Sequence, residues 1–204
     1  NQLPSFIYRP HDQELAAGDL ALPWSAAPKA LVGELARNLG SKTPMRLVSS
    51  AKSWLCNGAI DRHHAFLPLH SPDEVAKMSP LEASTCFLEH LRDTWNHRFP
   101  DAPLEDQEVI LTVPASFDPG ARELTAEAAR AAGIVQLTLL EEPQAAVYSW
   151  LQASGDDWRE QVSVGRAPAL HAAQQLLLGH CDLVDDHVGV LIVATEGLWA
   201  TVRS

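Results

Sequence analysis

From Ser79 to Leu151, hydrophobic and polar positions follow two rhythms in turn, and the change of rhythm marks the elements. Leu81, Leu88, Leu91 and Trp95 recur at helical spacing behind Ser79-Pro80-Leu81-Glu82. That opening supplies a capping serine, a proline at the first helical position and a glutamate placed to close a capping box. It predicts a long amphipathic helix from Pro80 to about Arg98, ending ahead of Pro100. Glu108–Val113 reads as a strand. Asp118-Pro119 opens an Ala-rich helix to Ala132, with Gly133 as its cap and Ala121, Leu124, Ala128 and Ala131 as its packing face. A second strand spans Val135–Leu140, and Pro143 opens a helix through Leu151. Strands alternating with helices predict an α/β layer with a right-handed crossover. Ligands in such sheets sit beyond the carboxyl ends of the strands, where Pro114, Glu141 and Glu142 fall.

The flanks are less regular. Residues 1–30 are rich in proline, with short apolar runs such as Ser5-Phe6-Ile7-Tyr8, and read as short strands joined by turns. Leu31, Leu35 and Leu39 share one helical face, which predicts a helix from Ala30 to Leu39 stopped by Gly40. Arg46–Leu55 is mixed and suits a short helix, and His63–Ser71 suits a loop or short strand. Beyond Ser154, Gly155-Asp156-Asp157 reads as an exposed turn, Pro168–Leu178 as a helix and Val188–Ala194 as a buried strand. No internal repeat occurs.

Composition narrows the function classes. The chain has 204 residues, 46% of them apolar, enough to bury a core. Fifteen basic against 26 acidic residues give a net charge of -11 with no Lys/Arg run, which argues against nucleic acid and against an anionic membrane surface as partners. Cys56, Cys86 and Cys181 are odd in number and far apart, so they form neither a disulfide framework nor a zinc knuckle, and a reducing cytosolic setting fits. No apolar stretch approaches the length of a membrane span. The N-terminus shows no basic-then-apolar leader. It also does not open on Met, so the sequence is expected to begin inside a longer protein.

Each candidate for chemistry has a plainer alternative. A glutamate at the end of a buried strand, such as Glu142, can hold water or a metal-bound ligand; the plainer reading of Glu141-Glu142 is helix capping. Lys52 stands alone in an apolar stretch and suits a phosphoryl group, but solvated lysines are the rule. Gly40-Ser41-Lys42-Thr43 fails as a phosphate loop, because Ser41 separates the glycine from the lysine and Gly33 is wrongly spaced. His63, His64 and His70 lack metal-ligand spacing and read as a surface loop. His90 and His97 read as a polar helix face, and Cys56 as a small buried residue without a nucleophile motif. Six dispersed tryptophans read as core or lobe-interface residues.

Taken in order, the motifs resemble one family. Thr112-Val113-Pro114-Ala115-Ser116-Phe117-Asp118 is similar to the Val-Pro-Ala-x-Phe strand end of the DnaK-type heat-shock chaperones. Arg122 and an Ala-rich helix ending Ala131-Ala132-Gly133 follow at the family's spacing. Leu139-Leu140-Glu141-Glu142-Pro143-Gln144-Ala145-Ala146 resembles its Glu-Pro-x-Ala-Ala motif. Upstream, Leu3-Pro4-Ser5-Phe6, Val32-Gly33-Glu34-Leu35-Ala36 and Ser50-Ala51-Lys52 resemble earlier landmarks. The details lean toward divergent bacterial DnaK-like members, over about residues 3 to 152.

The resemblance implies an actin-like ATPase lobe with a ribonuclease-H-like core, in an α/β chain. It implies that residues 1–107 form a peripheral subdomain of the nucleotide-binding domain, 108–152 its strand-helix-strand-helix core and 153–204 a divergent tail. ATP and magnesium are the implied ligands. Lys52 matches the lysine on the transferred phosphate, and Glu142 the glutamate that positions magnesium-bound water. Pro114 and Arg122 match the proline switch and arginine relay. Client proteins and co-chaperones are the implied partners, in a cytoplasmic stress response. Two departures qualify this. The family opens on an Asp-x-Gly-Thr hairpin, and the chain begins after that point. A second loop, Asp-x-Gly-Gly-Gly-Thr, is due shortly after Gly165, where the chain instead reads Arg166-Ala167-Pro168-Ala169-Leu170-His171. Without either set of backbone amides, weak or absent ATP hydrolysis is expected of this chain alone. A non-catalytic interaction module, forming a homodimer, is the second reading; a metal hydrolase using Glu141, Glu142 and the histidines is a third. The tail is either the product of a rearranged gene or a segment that completes the sheet.

Overall fold

The computed structural model describes residues 3–11, 14–15, 18, 20–26, 28, 30–157, 190–194 and 198–202. It is a mixed α/β structure with two small sheets. In the first, β1 (Ile7–Tyr8) lies between β2 (Leu31–Val32) and β3 (Leu47–Val48), antiparallel to both. The helix expected from Ala30 is shorter than its leucine spacing suggests. Leu31 and Val32 are committed to pairing with β1, and Gly33 turns with a positive φ of 82°, a conformation that breaks strand and helix alike. Helix α1 (Glu34–Gly40) therefore buries Ala36 and Gly40, and Leu35 points outward, 47% exposed.

The mixed segment after β3 forms a helix, α2 (Ala51–Cys56). The long helix α3 (Pro80–Arg98) has the expected ends. The Ser79 hydroxyl accepts from the Glu82 N–H at 3.0 Å, and the Glu82 carboxylate accepts from the Ser79 N–H at 2.7 Å. Its buried face is Ala83, Phe87, Leu88 and Trp95, and the Trp95 indole donates to the Ala102 carbonyl at 2.8 Å.

The second sheet has the order β5-β4-β6-β7. Strand β4 (Val109–Val113) buries alternate residues, Val109, Leu111 and Val113, beneath α3 and α4 (Pro119–Ala131). Asp118 caps α4, accepting from the Ala121 N–H at 2.6 Å. The packing face of α4 differs from the expected one at its end: Ala131 is exposed, and Ala129 and Ala132 are buried. Strand β5 (Leu137–Glu141) starts two residues later than predicted. Gly133 turns with φ 85°, Ile134 plugs the core and Val135 is left 71% exposed. β5 pairs in parallel with β4. Helix α5 (Glu142–Ser154) follows directly, and Gly155–Asp157 is a short exposed 3-10 turn at Asp156 and Asp157.

The strand predicted near the C-terminus is present as β6 (Val190–Ala194), antiparallel to β4, with β7 (Leu198–Val202) antiparallel beyond it. The tail thus adds two strands to the sheet. Val188 and the predicted helix Pro168–Leu178 lie outside the described residues. Among the described residues, no helix is long and apolar enough to cross a membrane.

Candidate functional site

The register of the parallel pair sets the site. Val113 stands opposite Glu141, so the residues that follow them, Pro114 and Glu142, leave the sheet at the same level. This is the carboxyl edge, where α/β sheets bind ligands. Lys52 reaches the edge from the first turn of α2. Ser50 aims that helix by adopting a left-handed conformation (φ 57°, ψ 26°), uncommon for a residue with a side chain. A cluster of Leu55 from α2 with Val113, Phe117, Ala121 and Leu124 seats α2 on the β4–α4 junction.

Of the four residues singled out by sequence, the structure brings two into contact. Lys52 Nζ lies 2.8 Å from Glu142 Oε1, both side chains about 30% exposed. Arg122 meets the neighbouring carboxylate, with its Nη1 3.2 Å from Glu141 Oε1. The paired glutamates thus face different cations, which keeps like charges apart. Pro114 and Lys52 line one cavity of about 60 Å³ with Ser5, Leu55, Leu111 and Thr112. That volume suits a few water molecules. Ser5 is 4% exposed and its hydroxyl has no hydrogen-bond partner.

A second polar group was not legible in sequence. Arg62 is buried, and its guanidinium holds Asp118 with two hydrogen bonds, Nη2 to Oδ2 at 2.9 Å and Nη1 to Oδ1 at 3.3 Å. The Arg62 hydrogen bonds, followed by the Ala121 N–H, hold the Asp118 carboxyl below its ordinary value of 3.8. In the sequence Asp118 is marked as a helix start and as the end of the Thr112–Asp118 motif, neither of which points to a partner, and no periodicity distinguishes Arg62 within Asp61-Arg62-His63.

The histidines divide. His63, His64 and His70 are exposed; His63 approaches Glu127 at 3.6 Å and Asp61 at 3.8 Å. Among the described residues, no three His, Cys, Asp or Glu side chains gather as metal ligands. His90 and His97 share one face of α3, as expected, and His97 is exposed; the Trp24 ring packs on both, with centroids 5.4 Å and 5.8 Å away, and His90 is part-buried. Burial pushes the His90 imidazole below its ordinary value of 6.5.

Comparison with known proteins adds an independent line. The family model described as Hsp70 protein matches residues 10–158. A chaperone protein HscA homolog of Paracidovorax citrulli (strain AAC00-1) is 33% identical over 152 residues, covering 66% of this chain and 24% of the relative. The HscA homolog of Pseudomonas aeruginosa (strain UCBPP-PA14) is 32% identical over 153 residues, with the same coverage. That of Actinobacillus pleuropneumoniae serotype 5b (strain L20) is 42% identical over 81 residues, 39% of this chain and 12% of the relative. The chain spans about a quarter of the length of the curated relatives it matches over most of its own.

Proposed function

The chain belongs to the Hsp70 family, whose domain implies an actin-like ATPase fold, and we propose that it is part of the nucleotide-binding lobe of a divergent DnaK-like chaperone. The contact between Lys52 and Glu142 carries this reading: two residues 90 positions apart meet at the carboxyl edge of the sheet. Phosphoryl transfer needs positioning and charge neutralisation above all. Lys52 supplies a point cation for the transferred phosphate. Glu142, about 30% exposed, is placed to accept hydrogen bonds from water. Bound ATP with magnesium would supply the phosphoryl group and its counter-charge.

The residues present suit the reacting end of the nucleotide only in part. Where the family's second glycine loop is due, the chain reads Arg166-Ala167-Pro168-Ala169-Leu170-His171, and the cavity beside Lys52, about 60 Å³, is too small for a triphosphate. The chain alone is therefore proposed to bind ATP weakly and to turn it over slowly, with Pro114 and the Arg122–Glu141 pair beside the site as its relay. Within the proposed division, residues 1–107 supply Lys52, 108–152 supply the sheet edge and Glu142, and 153–204 supply the two added strands, β6 and β7. Client proteins, co-chaperones, a stress response and a cytoplasmic setting belong to the same proposal, by family.

Titration calorimetry with ATP and magnesium, beside a steady-state ATPase assay of wild type and Lys52→Ala, tests it. Weak binding and slow turnover that Lys52→Ala abolishes are expected. Robust Lys52-dependent turnover would overturn the part assigned to the replaced second loop. Absence of binding, together with a dimer by light scattering, would favour the non-catalytic interaction module, which the replacement of the second glycine loop by Arg166-Ala167-Pro168 also suits.

A further inference from the structure

The candidate site is assembled from two sides. Lys52 comes from α2, and Pro114, Arg122 and the glutamates come from the β4–α4–β5 layer. One group outside the site joins those sides. The Arg62 guanidinium donates from Nε to the carbonyl of Asn57, the residue that ends α2, at 3.2 Å. Its two terminal nitrogens grip Asp118 at 2.9 and 3.3 Å. Asp118 in turn caps α4 through the Ala121 N–H. The Arg62 carbonyl also accepts from the Leu81 N–H in the first turn of α3, at 3.4 Å. One residue thus ties the end of α2 to the starts of α3 and α4.

The surroundings are shaped to this guanidinium. A Cβ on Gly58 would come within 3.1 Å of Nη2, and one on Gly120 within 2.9 Å of Nη1. Neither glycine has a positive φ, so backbone conformation gives no other reason for glycine there. The Arg62 side chain is 10% exposed, and its planar fork matches the carboxylate as a point cation would not. Only the arginine is buried: the Asp118 side chain is 48% exposed, so solvent screens the attraction and the pair contributes little net stability, and its bidentate geometry is what fixes one arrangement.

We propose that Arg62 is a positioning residue, which with Asp118 sets α2 against the β4–α4 junction and so holds Lys52 on Glu142. This rests on the reading of Lys52 and Glu142 as the phosphate-facing pair, but its test needs no nucleotide. The wider concavity of about 480 Å³ elsewhere on α3 carries Arg9 with Glu82, Glu89 and Glu127, a rim of mixed sign that singles out no ligand.

The experiment is competitive labelling of amines by acetic anhydride on the folded chain, read by mass spectrometry at Lys52 and, as a reference, at Lys42. Glu142→Gln calibrates the loss of the contact. Its Lys52 labelling rate is expected to change about two- to fivefold, the range for breaking a partly exposed ion pair. Arg62→Leu is expected to change it in the same direction by a similar factor, and to add nothing in the Glu142→Gln background. Gly120→Ala keeps the arginine and favours the helix but crowds Nη1, so it serves should Arg62→Leu fail to fold; it is expected to reproduce the effect in part. An unchanged Lys52 rate in folded Arg62→Leu or Gly120→Ala overturns the proposal. So does an equal change added on top of Glu142→Gln, which would make Arg62 a general stabiliser only. If ATP binding fails while these results hold, the nucleotide reading falls and the positioning role stands.

Discussion

Replacing Leu55 by alanine probes the contact that seats the lysine-bearing helix. Leu55 is 3% exposed, within the cluster of Val113, Phe117, Ala121 and Leu124. Truncation removes three carbons, worth about 2.4 kcal/mol at ~0.8 per methylene. A residual void of roughly 70 Å³ adds about 1.7 kcal/mol at ~24 cal/mol per Å³. Leu55 already lines the cavity of about 60 Å³ below Lys52, so the new space joins an existing one and collapse relieves little of it. The expected cost is therefore about 4 kcal/mol, near the upper part of the measured range for such changes. For a chain of this size that corresponds to a melting point lower by roughly 8–16 °C. Urea unfolding followed by far-ultraviolet circular dichroism measures it, with an unchanged slope expected. Leu35→Ala, at a position 47% exposed, is the control and should stay within about 0.5 kcal/mol of wild type. A Leu55→Ala cost below about 1 kcal/mol would refute the argument that this cluster fixes α2 to the sheet.

Other perturbations follow from the same packing. Trp95→Phe removes the indole donor of the Ala102 carbonyl and should cost about 1–3 kcal/mol in urea unfolding, because a carbonyl is left without its partner. Gly40→Ala drives a Cβ into the Leu47 side chain and should cost about 1–3 kcal/mol by overpacking; a gain in stability would show that α1 can shift. His90 titrates lower in the folded chain than its ordinary 6.5, through burial. The unfolded chain therefore binds the proton first, so the His90 contribution is intact above about pH 6.5 and is lost as pH falls from there through the folded value. Urea midpoints at pH 7.5 and 5.5 should show a smaller acid loss in His90→Gln than in wild type.

Local rules in the sequence determined the elements whose ends are chemically marked. Ser79, Pro80 and Glu82 start α3 in any context, because the capping box closes within four residues. Asp118 and Pro119 do the same for α4. The apolar run of β4 and the order of strands and helices placed Pro114, Glu141 and Glu142 at one edge of a sheet, and the motifs resembling the family singled out Lys52. Tertiary structure decided the rest. Leucine spacing favoured a helix at Ala30, but strand pairing with β1 took Leu31 and Val32, since backbone hydrogen bonds to a distant segment outweigh a weak local preference. His90 and His97 share a polar face, but that Trp24 packs on both rings was not legible, since it comes from a segment 66 positions or more upstream. That Lys52 touches Glu142, and that Arg62 finds Asp118 across 56 positions, depend on how α2 sits on β4 and α4. Spacing along the chain carries no such information, because these pairs form only once α2 has docked, seated on the apolar cluster around Leu55 and, in the role proposed for it, held in position by Arg62 on Asp118.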